Sequence, residues 1–218
     1  MCNIKVTNTK LLPNGHDGID ISGNYNVLER ITVTYCTDEG IGVLGGSYGN
    51  VVAFCRVTNC GSTTDQGNGR GMAVWYGASA TVVGNYVADS LRGILFGDYN
   101  SGSFVDFRNN FVYNNGNYNV NVNGTYGCKT NLIDNLITNG SAAGIKYTGT
   151  PIPEVYKSGN TLLNNHPDES GSYTPASTMF TQTNTPFPNW LNNVTTPTSS
   201  TDPGVGMGTG KCQCVLCR

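Results

Sequence analysis

Charge is scarce in this chain of 218 residues: Asp, Glu, Lys and Arg make up 12% of it, and the net charge is -2. So neutral a chain carries no basic field to draw in nucleic acid or an anionic membrane. Long apolar runs are also missing, and none approaches the roughly 18 residues of a membrane-spanning helix. No apolar stripe of helical period appears. Eight of the nine prolines lie beyond residue 150. No basic-then-apolar leader opens the chain, which therefore reads as a mature chain or a fragment. Only two histidines are present, and His166, in "NNHPDE", reads as an exposed corner residue.

What is abundant is turn chemistry. There are 29 glycines, with asparagine also frequent, and they punctuate a repeat. The tetrapeptides "GIDI" (18–21), "GIGV" (40–43), "GMAV" (71–74), "GILF" (93–96), "NVNV" (119–122) and "GIKY" (144–147) start 22, 31, 22, 26 and 25 residues apart. A second column, "VTYC" (33–36), "VTNC" (57–60), "VADS" (87–90), "VYNN" (112–115), "ITNG" (137–140) and "LLNN" (162–165), keeps the same rhythm. Short alternating runs bounded by Gly or Asn are strands. Repeating the same residue type at the same place is the mark of stacked coils that bury their apolar faces on one another. The expected fold is all-β: a single-stranded right-handed parallel β-helix over 1–168, about six coils of 22–31 residues, followed by an irregular Thr/Pro/Ser-rich tail over 169–218. The third position of the second column, Tyr35, Asn59, Asp89, Asn114, Asn139 and Asn164, predicts an asparagine ladder at a left-handed corner. Phe180, Phe187, Trp190 and Leu191 predict that part of the tail packs on the β-helix.

The register gathers the scarce charges. The residue before each glycine strand reads Asp17, Glu39, Arg70, Arg92, Tyr118, Ala143. Coils lie about 4.8 Å apart, so these side chains form a strip. His16 and Asp38 run beside it, and Asp20 is expected to face outward between Ile19 and Ile21. Asp17, Asp20, Asp38 and Glu39 then crowd together; a divalent cation relieves that repulsion, and Ca²⁺ takes several carboxylate oxygens. Arg70 and Arg92, one and two coils on, are placed to meet the carboxylates of an acidic polysaccharide. The 31-residue spacing comes from "GSTTDQGNG", an insertion beside the strip, and loops on rigid scaffolds carry function. Trp75, Tyr76 and Tyr118 are the candidate sugar-contacting rings. The plain alternative is a surface ion pair between Glu39 and Arg70.

These residues resemble the pectate-lyase-like β-helix superfamily. "CTDEGIGV", "GNGRGMAVWYG" and "NNFVYNNGNYNVNV" are similar in order and spacing to the coils of the family 9 polysaccharide lyases. That resemblance implies Ca²⁺-dependent β-elimination on polygalacturonate, in which Ca²⁺ holds the uronate carboxylate and a basic side chain removes the neighbouring C5 proton; the crowded Asp17, Asp20, Asp38 and Glu39 are the candidate Ca²⁺ ligands. The chain departs from the family's Asp-Asp-Gly-aromatic-Asp motif: it reads Asp38-Glu39-Gly40-Ile41-Gly42, and the catalytic lysine falls near Ala73. Arg70 or Arg92 would then be the base, as arginine is in other pectate lyase families. Asp17, Asp38 and Glu39 also resemble the three acids of polygalacturonases, with Arg70 where that family has histidine. A non-catalytic glycan-binding or structural β-helix is the rival class.

Eight cysteines and three Asn-x-Ser/Thr sequons, at Asn123, Asn139 and Asn193, suggest an extracellular protein. Cys36 and Cys60 hold the same place in adjacent coils, within disulfide reach. Cys212, Cys214 and Cys217 suit disulfides to Cys2 or Cys128, or Zn²⁺. The chain begins almost at a strand, so a partner or further segment is expected to cap the first coil.

Overall fold

The computed structural model describes residues 17–61, 69–98 and 102–181, with the backbone of one more strand, Lys5–Thr7. Among the described residues, twenty-one short strands stack into three parallel sheets of seven, each inner strand pairing with its equivalents one coil before and one coil after. The second-column strands form the first sheet: Lys5–Thr7, Thr32–Thr34, Arg56–Thr58, Tyr86–Ala88, Phe111–Tyr113, Leu136–Thr138 and Thr161–Leu163. The glycine-led tetrapeptides form the second: Ile19–Ile21, Ile41–Val43, Met72–Val74, Ile94–Phe96, Val120–Asn123, Ile145–Thr148 and Glu169–Ser170. The third holds Val27–Glu29, Asn50–Ala53, Ser79–Val83, Phe104–Arg108, Lys129–Ile133, Glu154–Ser158 and Thr174–Pro175. The expected β-solenoid is what the chain builds.

Strands of two to five residues suffice because the core is made of columns rather than of long elements. Val33, Val57, Val87, Val112 and Ile137 line up inside the first sheet, in direct register. Ile41, Met72, Ile94, Val120 and Ile145 do so inside the second. Val52, Val82, Phe107 and Leu132 do so inside the third. All of these are buried. β-branched side chains suit a pleated surface packed on one face. The third column ends at Lys157, in register with Leu132. There the ammonium meets both Glu169 oxygens at 2.8 Å and lies 4.5 Å from the Tyr173 ring centre, while Tyr147 and Tyr173 rings pack 4.5 Å apart. This polar and aromatic lid closes the last coil.

The corner between the first and second sheets is left-handed at the six expected residues, Tyr35, Asn59, Asp89, Asn114, Asn139 and Asn164, with φ between 51° and 60°. Their side chains are not the main ladder, however. Only Asn114 reaches back to Asp89, at 2.8 Å, on the surface. The buried stack sits one residue later: the Cys60 amide donates to Ser90 Oγ (3.2 Å), and the Ser90 amide to Asn115 Oδ1 (3.0 Å). Gly140 offers no side chain in this stack, and Asn119 fills the gap, accepting from Asn115 Nδ2 at 2.8 Å and donating to Asn165 at 3.1 Å.

A second and more regular stack, not anticipated from the sequence, lines the corner between the third and first sheets. The amides of Cys55, Asn85, Asn110 and Asn135 donate to the side-chain oxygens of Asn85, Asn110, Asn135 and Asn160, at 2.8, 2.9, 2.9 and 3.0 Å. Each Nδ2 in turn bonds a strand-end carbonyl: Val52, Val82, Phe107 and Leu132, at 2.9, 2.9, 3.0 and 2.7 Å. A buried backbone amide left without a partner costs far more than an average hydrogen bond gains, so each asparagine settles an otherwise orphaned corner.

One cysteine expectation is corrected. Cys36, Cys55, Cys60 and Cys128 are all buried thiols, and Cys36 and Cys60 are hydrogen-bonded to each other rather than bridged. That hydrogen bond, together with burial, raises the Cys60 thiol; burial pushes Cys55 and Cys128 up to about 12. Cys2, Cys212, Cys214 and Cys217 lie outside the described residues, as do Phe187, Trp190 and Leu191. Phe180 does pack on the β-helix: Asn131 bonds its amide (3.0 Å) and its carbonyl (2.9 Å), and Lys129 lies over its ring. His166 is exposed, as expected.

Asn110→Ala removes one acceptor and one donor from the buried stack while leaving the strands intact. Chemical denaturation is expected to show a loss of about 2–4 kcal/mol. Asn114→Ala, on the surface ladder, is expected to cost about 1 kcal/mol or less.

Candidate functional site

Backbone hydrogen bonds verify the charged column. The amides of Gly18, Gly40, Gly71, Gly93 and Asn119 donate to the carbonyls of Glu39, Arg70, Arg92, Tyr118 and Ala143, at 2.8, 2.9, 2.9, 2.8 and 3.0 Å. Asp17, Glu39, Arg70, Arg92, Tyr118 and Ala143 therefore stand one per coil, just before the second sheet. The glycine that follows the acid is needed for close approach: a Cβ at Gly40 would fall 2.4 Å from Val57 and 2.6 Å from the Gly71 carbonyl.

At the first two coils the carboxylates converge. One oxygen each of Asp17, Asp38 and Glu39 lies within 4.8 Å of the others. Asp17 also accepts the Glu39 amide at 2.9 Å, which pins it to the next coil. Asp20 points outward from its strand, between the core-packed Ile19 and Ile21, as expected. Its neighbour in register is Gly42. A Cβ there would come 2.5 Å from Asp20 Oδ1, so the bare glycine is the cradle on which this carboxylate lies. Gly42 stands where the lyase motif has a further acid, yet it makes room for one from the preceding coil.

The crowding has a titration signature. Partial desolvation, then the charge of Asp17 and a hydrogen bond with it, then the charge of Asp38, push Asp20 up to about 7. Burial, then a hydrogen bond with Asp17, raise the Glu39 carboxyl, against the lowering effect of Arg70. Desolvation leads both shifts, and the neighbouring carboxylates add to it. A hard divalent cation suits such a donor set. Asp17, Asp38 and Asp20, with Glu39 behind them, are the residues that would hold it.

Glu39 and Arg70 are not a surface ion pair. They are 2% and 6% exposed, and Arg70 Nη1 donates to Glu39 Oε1. Burial works against the guanidinium's charge, but Tyr118 and Glu39 beside it outweigh this and raise its pKa further. Its carbon lies 4.9 Å from the Trp75 ring centre. Tyr118, expected to face a sugar, is buried against Arg70 instead. Arg92 is the partly exposed arginine of the column. Tyr76 is exposed, packed edge-on against Trp75 with centroids 4.9 Å apart. His16 and the centre of the insertion, 62–68, lie outside the described residues. The ends of that insertion meet in a narrow neck: a Cβ on Gly69 would lie 2.1 Å from Gly61 Cα and 2.7 Å from the Thr37 carbonyl, next to Asp38.

Fold and column together define a parallel β-helix with a charged strip across one sheet. The family described as "right handed beta helix region" matches residues 2–166, and the chain belongs to that family. No curated protein matches it in sequence. Among solved structures it is similar to one titled "Crystal structure of pectate lyase Pel9A", with a TM-score of 0.52 and 12% identity. The match covers 79% of this chain and 50% of that one, so the chain spans half the length of the solved structure. At this identity the likeness is one of fold: a pectate-lyase-like right-handed β-helix. Among the described residues no helix is long and apolar enough to cross a membrane.

The raised carboxyl of Asp20 makes a signed prediction. Between its ordinary value and about 7 the folded protein keeps a proton that the unfolded chain releases, so Asp20's contribution to stability is fully present below that ordinary value and is lost as pH rises through about 7. In EDTA, Tm is expected to fall from about pH 4.5 to about pH 8, and Ca²⁺ to restore much of the loss at the higher pH. Gly42→Ala, which displaces the Asp20 carboxylate, is expected to shrink that Ca²⁺ effect with little change in Tm in EDTA. A Tm that does not depend on Ca²⁺ at any pH contradicts this picture.

Proposed function

We propose that this protein is an extracellular, carbohydrate-active β-helix that binds acidic polysaccharide along the Asp17–Arg92 strip with the help of Ca²⁺. The observation that carries this is the convergence of the Asp17, Asp38 and Glu39 carboxylates within 4.8 Å, in line with arginines on the next two coils. Bound Ca²⁺ would supply a bridge to a uronate carboxylate and draw electron density from it. Asp17, Asp20 and Asp38 face that role directly. Glu39 is already engaged by Arg70, and this buried pair, braced by Tyr118 and Trp75, is a strut that fixes the shape of the strip.

β-Elimination is the second reading, and it falls to Arg92. Arg70 is buried and ion-paired, so its guanidinium is held away from a sugar C–H; Arg92 is partly exposed in the same column. An arginine base requires an environment that lowers its pKa of 12 or more. Hydrolysis fits less well. Two carboxyls that flank a glycosidic bond stand about 5–5.5 Å apart in retaining enzymes and wider in inverting ones. Glu39, one of the three acids here, is almost fully buried and bonded to Arg70.

Affinity electrophoresis in polygalacturonate and alginate, with Ca²⁺ or EDTA, tests the reading. Ca²⁺-dependent retardation is expected, abolished by Asp38→Asn and weakened roughly tenfold by Arg92→Ala. Rising ultraviolet absorbance of unsaturated ends, lost in Arg92→Ala, adds lyase activity. New reducing ends without absorbance assign hydrolysis. Equal migration with and without Ca²⁺ in both gels overturns the proposal.

A further inference from the structure

The charged column ends at Arg92, because Tyr118 is buried and Ala143 carries no polar group. The outward positions of the second sheet carry polarity further along the same axis. In register they read Asp20, Gly42, Ala73, Leu95, Asn121 and Lys146. Ala73 and Leu95 are buried, so the polar groups of this column stand at its two ends. At one end Asp20 belongs to the carboxylate cluster. At the other, half-buried Lys146 lies between Ile145 and Tyr147, which face the core, and points away from it.

Lys146 is set apart by what it lacks. Arg30, Arg70, Arg108, Lys129 and Lys157 each have a carboxylate partner. Arg56 lies over the Tyr86 ring, and Arg92 is engaged as well. Among the described residues Lys146 is the one cation with no partner. The acids on the next coil are already bonded elsewhere: Asp168 accepts from Asn165 Nδ2 at 3.0 Å, and both Glu169 oxygens take Lys157 at 2.8 Å. The register neighbour of Lys146 on that coil is the neutral Ser170. On the preceding coil it is Asn121, which is 9% exposed. The Thr148 hydroxyl donates to Asn121 Oδ1 at 3.0 Å and fixes the amide, while Nδ2 has no acceptor among the described residues. A nearly buried amide with its donor unspent is costly, and an acceptor from a ligand removes that cost.

We infer that Lys146 and Asn121 form a carboxylate subsite beyond Arg92, which takes a uronate group of the same polysaccharide chain that Ca²⁺ holds at the first coils. The inference rests on the Ca²⁺ reading above and extends it along the sheet. An ammonium and an amide N–H on adjacent coils, about 4.8 Å apart, can converge on the two oxygens of one carboxylate. The two ends of the column hold uronate in opposite ways. Acids need a bridging cation, whereas lysine supplies the charge itself. Asp20 and Lys146 are five coil steps apart in register, about 24 Å, so only a chain of several sugars touches both.

The test is affinity electrophoresis of the whole chain with Ca²⁺, in polygalacturonate and in alginate, with Tm measured alongside. In a gel that retards the wild type, Lys146→Ala is expected to weaken retardation roughly fivefold, and Lys146→Arg to keep most of it. Asn121→Asp keeps the acceptor for Thr148 but sets a negative charge beside Lys146, and it is expected to weaken retardation at least as much. Lys146→Ala should leave both Tm in EDTA and the rise in Tm on adding Ca²⁺ unchanged, because the carboxylate cluster is far from it. Wild-type retardation that Lys146→Ala leaves unchanged overturns the subsite and leaves the Ca²⁺ reading standing. No Ca²⁺-dependent retardation of the wild type in either gel overturns both. A clearly lower Tm of Lys146→Ala in EDTA assigns the lysine to the fold and overturns the subsite as well.

Discussion

The structure depends on register. Each coil is too small to bury its own apolar face, and it becomes stable only when its neighbours present the same residue types at the same height. The asparagines at Asn85, Asn110, Asn135 and Asn160 enforce that condition, because each bonds the backbone amide of the equivalent corner one coil back. A slip of one residue would leave four corner amides unpaired and turn core columns such as Val52, Val82, Phe107 and Leu132 to the outside. Dry polar stacks of this kind make a fold specific as well as stable.

Register is also what makes a site out of so few charges. Nothing in the chain brings Asp17 to Glu39 or Glu39 to Arg70 except the coil step. Local sequence puts an acid or arginine just before a glycine, and the parallel ladder does the rest. The outcome is graded along the axis. Carboxylates crowd at the first coils, a buried Glu39–Arg70 pair walls them off, and a partly exposed Arg92 follows. The wall is costly: a buried pair recovers its desolvation only through further bonds, which Tyr118 and Trp75 supply. Spending a buried ion pair beside a carboxylate cluster is consistent with a strip whose shape matters.

Much of this was legible in the sequence, for a reason particular to solenoids. Periodicity converts sequence distance into spatial contact, so the sheets, the charged column, the outward Asp20 and the left-handed corner at Tyr35 to Asn164 followed from alignment alone. What was missed has physical causes. The strongest asparagine stack sits in "GNYV", "NNFV", "DNLI" and "GNTL", one residue before the second-column strands, and was legible by the same spacing. The corner ladder was placed one residue early, because left-handed backbone and inward amide belong to consecutive residues. Cys36 and Cys60 share a height in adjacent coils, but position alone does not distinguish a bridge from hydrogen-bonded thiols. Tyr118 was read as surface because column position does not reveal which side chains fold inward onto an arginine. Gly42 read as a lost ligand, whereas its missing side chain seats Asp20.

The most direct test of the central claim is crystallographic. Crystals of the whole chain soaked in Ca²⁺, measured at a long wavelength, are predicted to show an anomalous peak in contact with carboxylate oxygens of Asp17 and Asp38, with Asp20 over Gly42 turned toward it. A fully occupied Ca²⁺ elsewhere with none at this cluster, or no peak at millimolar Ca²⁺ and neutral pH, would contradict the account.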